Sequence, residues 1–106
     1  MSQLYWTKRA YTLTFASGAT THTEDPIDLN GVATLALLIP SEFNTDTLTL
    51  TSSDSHDTGF TLVAATGRYT LDSDQALAIV TMRDLRITTN NATGGAATIT
   101  VVVAGG

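Results

Sequence analysis

The residues best able to do chemistry crowd into "SSDSHDTG", Ser52 to Gly59. A Ser–His–Asp machine needs a nucleophile, a base and an orienter that converge from separate elements beside an oxyanion hole. Here Ser53, Asp54, Ser55, His56 and Asp57 are neighbours in the chain, and adjacent residues on a tight turn point in different directions. The same residues suit a hairpin connection. Asp and Ser bond their own backbone, and Gly59 would accept a positive φ. The stretch is therefore read as a turn, with no catalytic residues.

Other polar groups give no stronger signal. Asp54/Asp57 and Asp72/Asp74 offer oxygen ligands of the kind calcium takes, without the twelve-residue loop or the closing Glu of a calcium site. They are read as solvated loop carboxylates, and no metal or other cofactor is expected. His22, in "TTHTED", has no ligand-like companion and is expected to be exposed or at a strand edge. "NNATGG" (Asn90 to Gly95) has glycines but no phosphate-loop lysine. Asn91-Ala92-Thr93 reads as a glycosylation acceptor, relevant only in a secreted chain. Cys is absent, which removes disulfides, thiolate metal sites and a Cys nucleophile.

The elements that carry these residues are mostly strands. "AYTLTFA" sets Tyr11, Leu13 and Phe15 against Thr12 and Thr14. "TLTLTS" sets Leu48 and Leu50 against Thr47, Thr49 and Thr51. Phe60 and Leu62, Leu85 and Ile87, and Ile99, Val101 and Val103 repeat the alternation. A period of two gives each strand one core face and one wet face. Turn signals separate them, so the chain is expected to be all-β: a single-domain antiparallel β-sandwich of about eight short strands. "VATLALLI" (Val32–Ile39) does not alternate. It is either a central strand covered on both sides or a strand whose outer face meets a partner. Pro40 ends it, and "SEFN" would form one helical turn with Ser41 as its cap. "DSDQALAIVTMRDLR" supports two readings. Asp72 and Gln75 have capping-box spacing, but a strand over Ala76–Val80 followed by one over Leu85–Thr89 is preferred because its neighbours are all β.

Composition narrows the class. The chain has 106 residues, 42 % of them hydrophobic, which suits one core. Only 14 % are charged, against about a quarter in an ordinary soluble domain, and Thr supplies the polar surface instead. The net charge of −5 gives no general affinity for nucleic acid or anionic lipid. No run approaches the roughly 18 apolar residues of a membrane span, and "MSQLYWTKRA" lacks the apolar core of a secretory signal. No nucleic-acid or membrane partner is expected.

The N-terminus stands apart. Leu4, Tyr5 and Trp6 precede Lys8 and Arg9, and this stretch holds the only Trp. Residues 1–9 are expected to form an arm ahead of a sandwich domain spanning 10–106. The rings either fold back onto the sandwich or dock on a partner, since Trp, Tyr and Arg concentrate interface energy. Arg83 and Arg86 form a second basic spot, able to meet acidic patches on a partner.

Ile27, Asp28, Leu29, Gly31, Leu35, Ile39, Pro40, Phe43, Leu48, Leu50 and Ser53, followed by "AIVTMRDLRITT" and "ATITVVV", resemble a pattern in small virion proteins of tailed bacteriophages. The resemblance covers about residues 27–103. It departs at Phe43, where the pattern has Trp, and at "SHDTG", where it has a glycine-rich turn. It implies a jelly-roll-like virion component, in some cases a capsid decoration or cement protein. Such a protein is made in the host cytoplasm and sits on the capsid exterior. It is no enzyme. Its partner is the major capsid protein, and it forms a homo-oligomer, a dimer or trimer, on a lattice axis. Leu4, Tyr5, Trp6, Lys8, Arg9, Arg83 and Arg86 are then the partner-binding candidates, and Leu35, Leu37 and Ile39 the self-interface. The alternative is a carbohydrate-binding module or a tail-fibre piece, which exposed rings would serve. A small hydrolase is the least supported reading.

Overall fold

A computed structural model describes residues 7–53 and 59–105. Eight strands form two antiparallel four-stranded sheets. The strands are β1 (Thr7–Phe15), β2 (Ile27–Asp28), β3 (Val32–Ile39), β4 (Thr47–Thr51), β5 (Phe60–Val63), β6 (Gly67–Thr70), β7 (Asp84–Thr89) and β8 (Ala97–Gly105). The first sheet has the order β1-β8-β3-β6 and the second β2-β7-β4-β5. The pairs β1–β8, β2–β7, β3–β6 and β4–β5 are those of one long hairpin, rolled so that β3 lies on β8 and β4 on β7. That is the jelly roll, two Greek keys closed face to face.

The Leu/Thr alternation accounts for the packing. Leu13, Phe15, Leu37, Leu48, Leu50, Ile87, Ile99 and Val101 are buried between the sheets, and their Thr neighbours point outward. The rings of Phe15 and Phe43 meet edge to face, 4.9 Å apart, and close one end of the core. Phe43 is delivered by a single 3-10 turn, Ser41–Phe43. The turn is the expected one, but Pro40 occupies the cap position and Ser41 makes no side-chain cap. Gly59 is needed for a reason other than turn conformation: a Cβ there would run into the carbonyl of Leu50.

Three expectations are corrected. First, Ser73–Thr81 is a helix (α1), not a strand over Ala76–Val80. The Gln75 N–H donates to Asp72 Oδ1 at 2.8 Å and the Asp72 N–H to Gln75 Oε1 at 3.1 Å, a complete capping box. Tyr69 donates its hydroxyl to the same Gln75 oxygen, and Ile79 is buried in the core. The segment must cross from β6 in one sheet to β7 in the other. A capped helix satisfies its own backbone there, where a strand would have no partner. Second, β1 already includes Thr7, so Lys8 and Arg9 belong to this strand, paired with Ala104 and Val103, and not to an arm. Leu4, Tyr5 and Trp6 lie outside the described residues. Third, Leu35, Leu37 and Ile39 point into the core and cannot form a self-interface. The outward residues of β3 are Thr34, Ala36 and Leu38.

Candidate partner-binding surface

The crowded turn is held from outside itself. Ser53 donates from its backbone N–H to Asp84 Oδ1 (2.7 Å) and from its hydroxyl to Asp84 Oδ2 (2.7 Å), and Ser52 donates its hydroxyl to Asp84 Oδ1 at 3.2 Å. Burial alone would raise the pKa of Asp84, but these Ser53 and Ser52 bonds outweigh it and hold the carboxyl below its ordinary value, with Arg83 adding to the effect. Ser53 thus anchors the end of β4 onto β7. Asp54, Ser55, His56 and Asp57 lie outside the described residues. Among the described residues no group of three His, Cys, Asp or Glu is placed to hold a metal ion. Asp72 is committed to the helix cap.

His22 is buried, with 3 % of its surface exposed; of the two expectations exposure is corrected, while the Thr21–Thr88 bridge puts the residue at a strand edge, beside β7. Its segment ties the two sheets together at one open side of the sandwich. The Thr23 N–H donates to Thr14 of β1, and the Thr89 N–H of β7 donates to Thr20. The Ile87 N–H donates to His22 Nε2 at 3.2 Å, so that nitrogen is an acceptor. The other nitrogen, Nδ1, lies 3.0 Å from the Glu24 carbonyl and therefore carries the proton of a neutral imidazole. Burial lowers the pKa of His22, the Arg86 guanidinium lowers it further, and Glu24 opposes both. Nothing in "TTHTED" announced this: no apolar period marks the segment, and its burial comes from the strap it forms.

Arg83 and Arg86 do not make one basic spot. Arg86 turns inward along the sheet and donates to the Thr21 hydroxyl (3.2 Å) and the His22 carbonyl (3.4 Å), so it serves the strap. Arg83 precedes β7 and is exposed. Lys8 and Arg9 are both exposed but on opposite faces of β1. Asn91 and Thr93 are engaged internally, with Asp46 and the Ala16 carbonyl.

The outer faces of the two sheets differ. On the second sheet a row of threonines, Thr61–Thr49–Thr88–Thr21, runs across the strands. On the first, the equivalent row is Ala10–Val102–Ala36–Thr70, flanked by Lys8–Ala104–Thr34 on one side and Thr12–Thr100–Leu38–Arg68 on the other. The apolar run in β3 is thus explained on both its faces. Leu35, Leu37 and Ile39 fill the core, while Leu38, 40 % exposed, points outward beside Ala36, which faces the same way but is buried. The four strands of this sheet hold Lys8, Arg9 and Arg68 and no Asp or Glu. All ten carboxylates of the chain lie elsewhere. Lys8 and Arg68 line one shallow concavity of about 210 Å³, floored by Ala36 and Val102. Neither cation has an ion pair among the described residues. Sequence reading missed Arg68, because its place opposite Leu38 depends on strand order.

Sugar platforms need ring faces in solvent. Phe15 and Phe43 are buried, Tyr11, Phe60 and Tyr69 are half-buried, and the Tyr69 hydroxyl is bonded to Gln75. Among the described residues no aromatic side chain is exposed.

No family model matches the chain, and no curated protein matches it. Among solved structures it is similar to the crystal structure of SPBc2 prophage-derived protein YomS, with a TM-score of 0.57, 10 % sequence identity, and coverage of 97 % of this chain and 99 % of that one. The two chains share the whole jelly-roll fold, end to end.

Proposed function

We propose that the protein is a structural component of a tailed-phage virion, acting as a decoration or cement protein on the outside of the capsid. The observation that carries this reading is the end-to-end fold likeness to a prophage-derived protein, which agrees with the phage-like pattern over residues 27–103. In this role the protein bridges neighbouring subunits of the major capsid protein and slows the opening of the shell under the pressure of packaged DNA. It needs no cofactor. It needs a stable body, which the doubly closed sandwich supplies, and a surface that sticks. Many copies on a symmetric lattice act together, so each contact can be weak. A dimer or trimer on a lattice axis is the natural unit.

Quantitative mass spectrometry of purified particles from the encoding phage or induced lysogen tests the reading. Expected is a copy number in fixed ratio to the major capsid protein, lost together with shell stability when the gene is deleted. Absence from mature particles overturns it.

A further inference from the structure

We infer that the outer face of the first sheet, β1-β8-β3-β6, is the docking face, and that its occupant is a protein surface with a flat apolar centre and carboxylates placed to meet Lys8 and Arg68. This rests on the reading of the protein as a virion component and names the surface and partner chemistry that reading requires.

Three observations converge on this face. Its outward apolar residues are the exposed Ala10 and Leu38 and the half-buried Val102 and Ala104, with the buried Ala36 as the floor between them. These side chains are small or stiff and lose little rotamer freedom when covered, unlike the long charged residues of an ordinary surface. The sheet is therefore suited to flat contact. Its charge is also one-sided. The face itself carries two of the chain's five cations, Lys8 and Arg68, and its four strands hold none of the ten carboxylates, in a protein of net charge −5. Finally, Lys8 on one edge strand and Arg68 on the other line the same shallow concavity, with the apolar floor between them. Carboxylates on a partner would enter at these two points and fix the register of the apolar contact.

The same face of a second copy is the wrong occupant. Face to face, two copies would bring four such cations together and supply no carboxylate from either sheet. The occupant we assign is therefore a different protein, acidic where it meets this face.

Particles purified after deletion of the gene serve as the probe, with purified protein titrated back onto them. Three variants carry the same charge change at exposed positions: Lys8→Glu, Arg68→Glu and, away from the face, Arg83→Glu. Their melting curves report that each still folds. The wild-type protein is expected to reattach. Lys8→Glu and Arg68→Glu each weaken attachment at least tenfold, about 1.4 kcal/mol, and Arg83→Glu changes it less than twofold. Equal loss in all three reduces the effect to net charge and overturns the inference, as does no loss in any. A free protein that dimerises through this face, with the dimer abolished by Leu38→Asp, also overturns it by making a second copy the occupant. If wild-type protein fails to reattach at all, the virion reading itself falls and takes this one with it.

Discussion

The two sheets are built alike on the inside and unlike on the outside. Inward, both present Leu, Ile, Val and Phe at alternate positions, and those residues make one core. Outward, the second sheet shows a threonine row, the exposed Val63 and three charges already engaged within the fold: Asp28 by the Asn30 N–H, Asp84 by Ser52 and Ser53, and Arg86 by Thr21 and His22. The first sheet shows an apolar strip and cations without a described partner. Charged groups satisfied within the fold hold the molecule together. Charged groups left over beside small apolar side chains are available to something else. The difference separates a face that serves the fold from one that is free for a partner.

The sharpest way to break the comparison is to place the same bulky charge on each face. Ala10→Arg, at an exposed position of the first sheet's outer row, should reduce attachment to gene-deleted particles by about a hundredfold, since it wedges a close-packed contact. Thr49→Arg, in the middle of the threonine row, should leave attachment within twofold. Reversal of that order would move the docking face to the second sheet.

Adjacent positions on β3 give the next test. Leu37→Ala removes a fully buried side chain and is expected to cost about 2–5 kcal/mol in denaturant unfolding. Leu38→Ala, one residue on and facing out, is expected to cost under about 1 kcal/mol while weakening attachment. Equal destabilisation would mean that Leu38 is covered within the fold.

A smaller effect separates the strap from both faces. The pKa of His22 is lowered by burial and by Arg86, so the unfolded chain takes up a proton at this site before the folded one does. The stability it contributes is present above the unfolded pKa of about 6.5 and is lost as the pH falls below that value toward the depressed folded pKa. Melting curves taken from pH 7.5 down should show a decline that begins near 6.5 in the wild type and is absent in His22→Leu. A wild type flat through that range would contradict the neutral, hydrogen-bonded imidazole.

Salt gives the mildest discrimination. Raising ionic strength from 50 to 500 mM should weaken wild-type attachment severalfold, because the Debye length drops well below 10 Å, and should affect the Lys8→Glu/Arg68→Glu double variant far less. An equal salt response in both would remove the two cations from the contact.

What could be read from the sequence follows the length of its periodic signals. Five strands, β1, β4, β5, β7 and β8, alternate over enough residues to show their period, and Leu13, Leu48, Leu62, Ile87 and Ile99 are buried as that period requires. β2, with two residues, and β6, with four, are too short for periodicity to register. Asp72 and Gln75 announce the helix by their capping-box spacing, and the all-β neighbours that favour a strand do not outweigh that local chemistry. Here the local signal won because the chain at that point leaves one sheet for the other. The proposed docking face is half visible in the sequence: the unbroken apolar run in β3 points to contact on two sides, but the residues it offers for the outer contact, Leu35, Leu37 and Ile39, are the inward ones. Which of them face out depends on parity against β8, with a register shift between Val32 and Thr34, and neither parity nor Arg68's place beside Leu38 can be had without the strand order.

A cryo-EM map of mature particles tests the central claim most directly. The account predicts jelly-roll density on the outer shell with β1-β8-β3-β6 turned toward the capsid and acidic capsid residues beside Lys8 and Arg68. Density seated through the threonine face, or a shell carrying none of this protein, would contradict it.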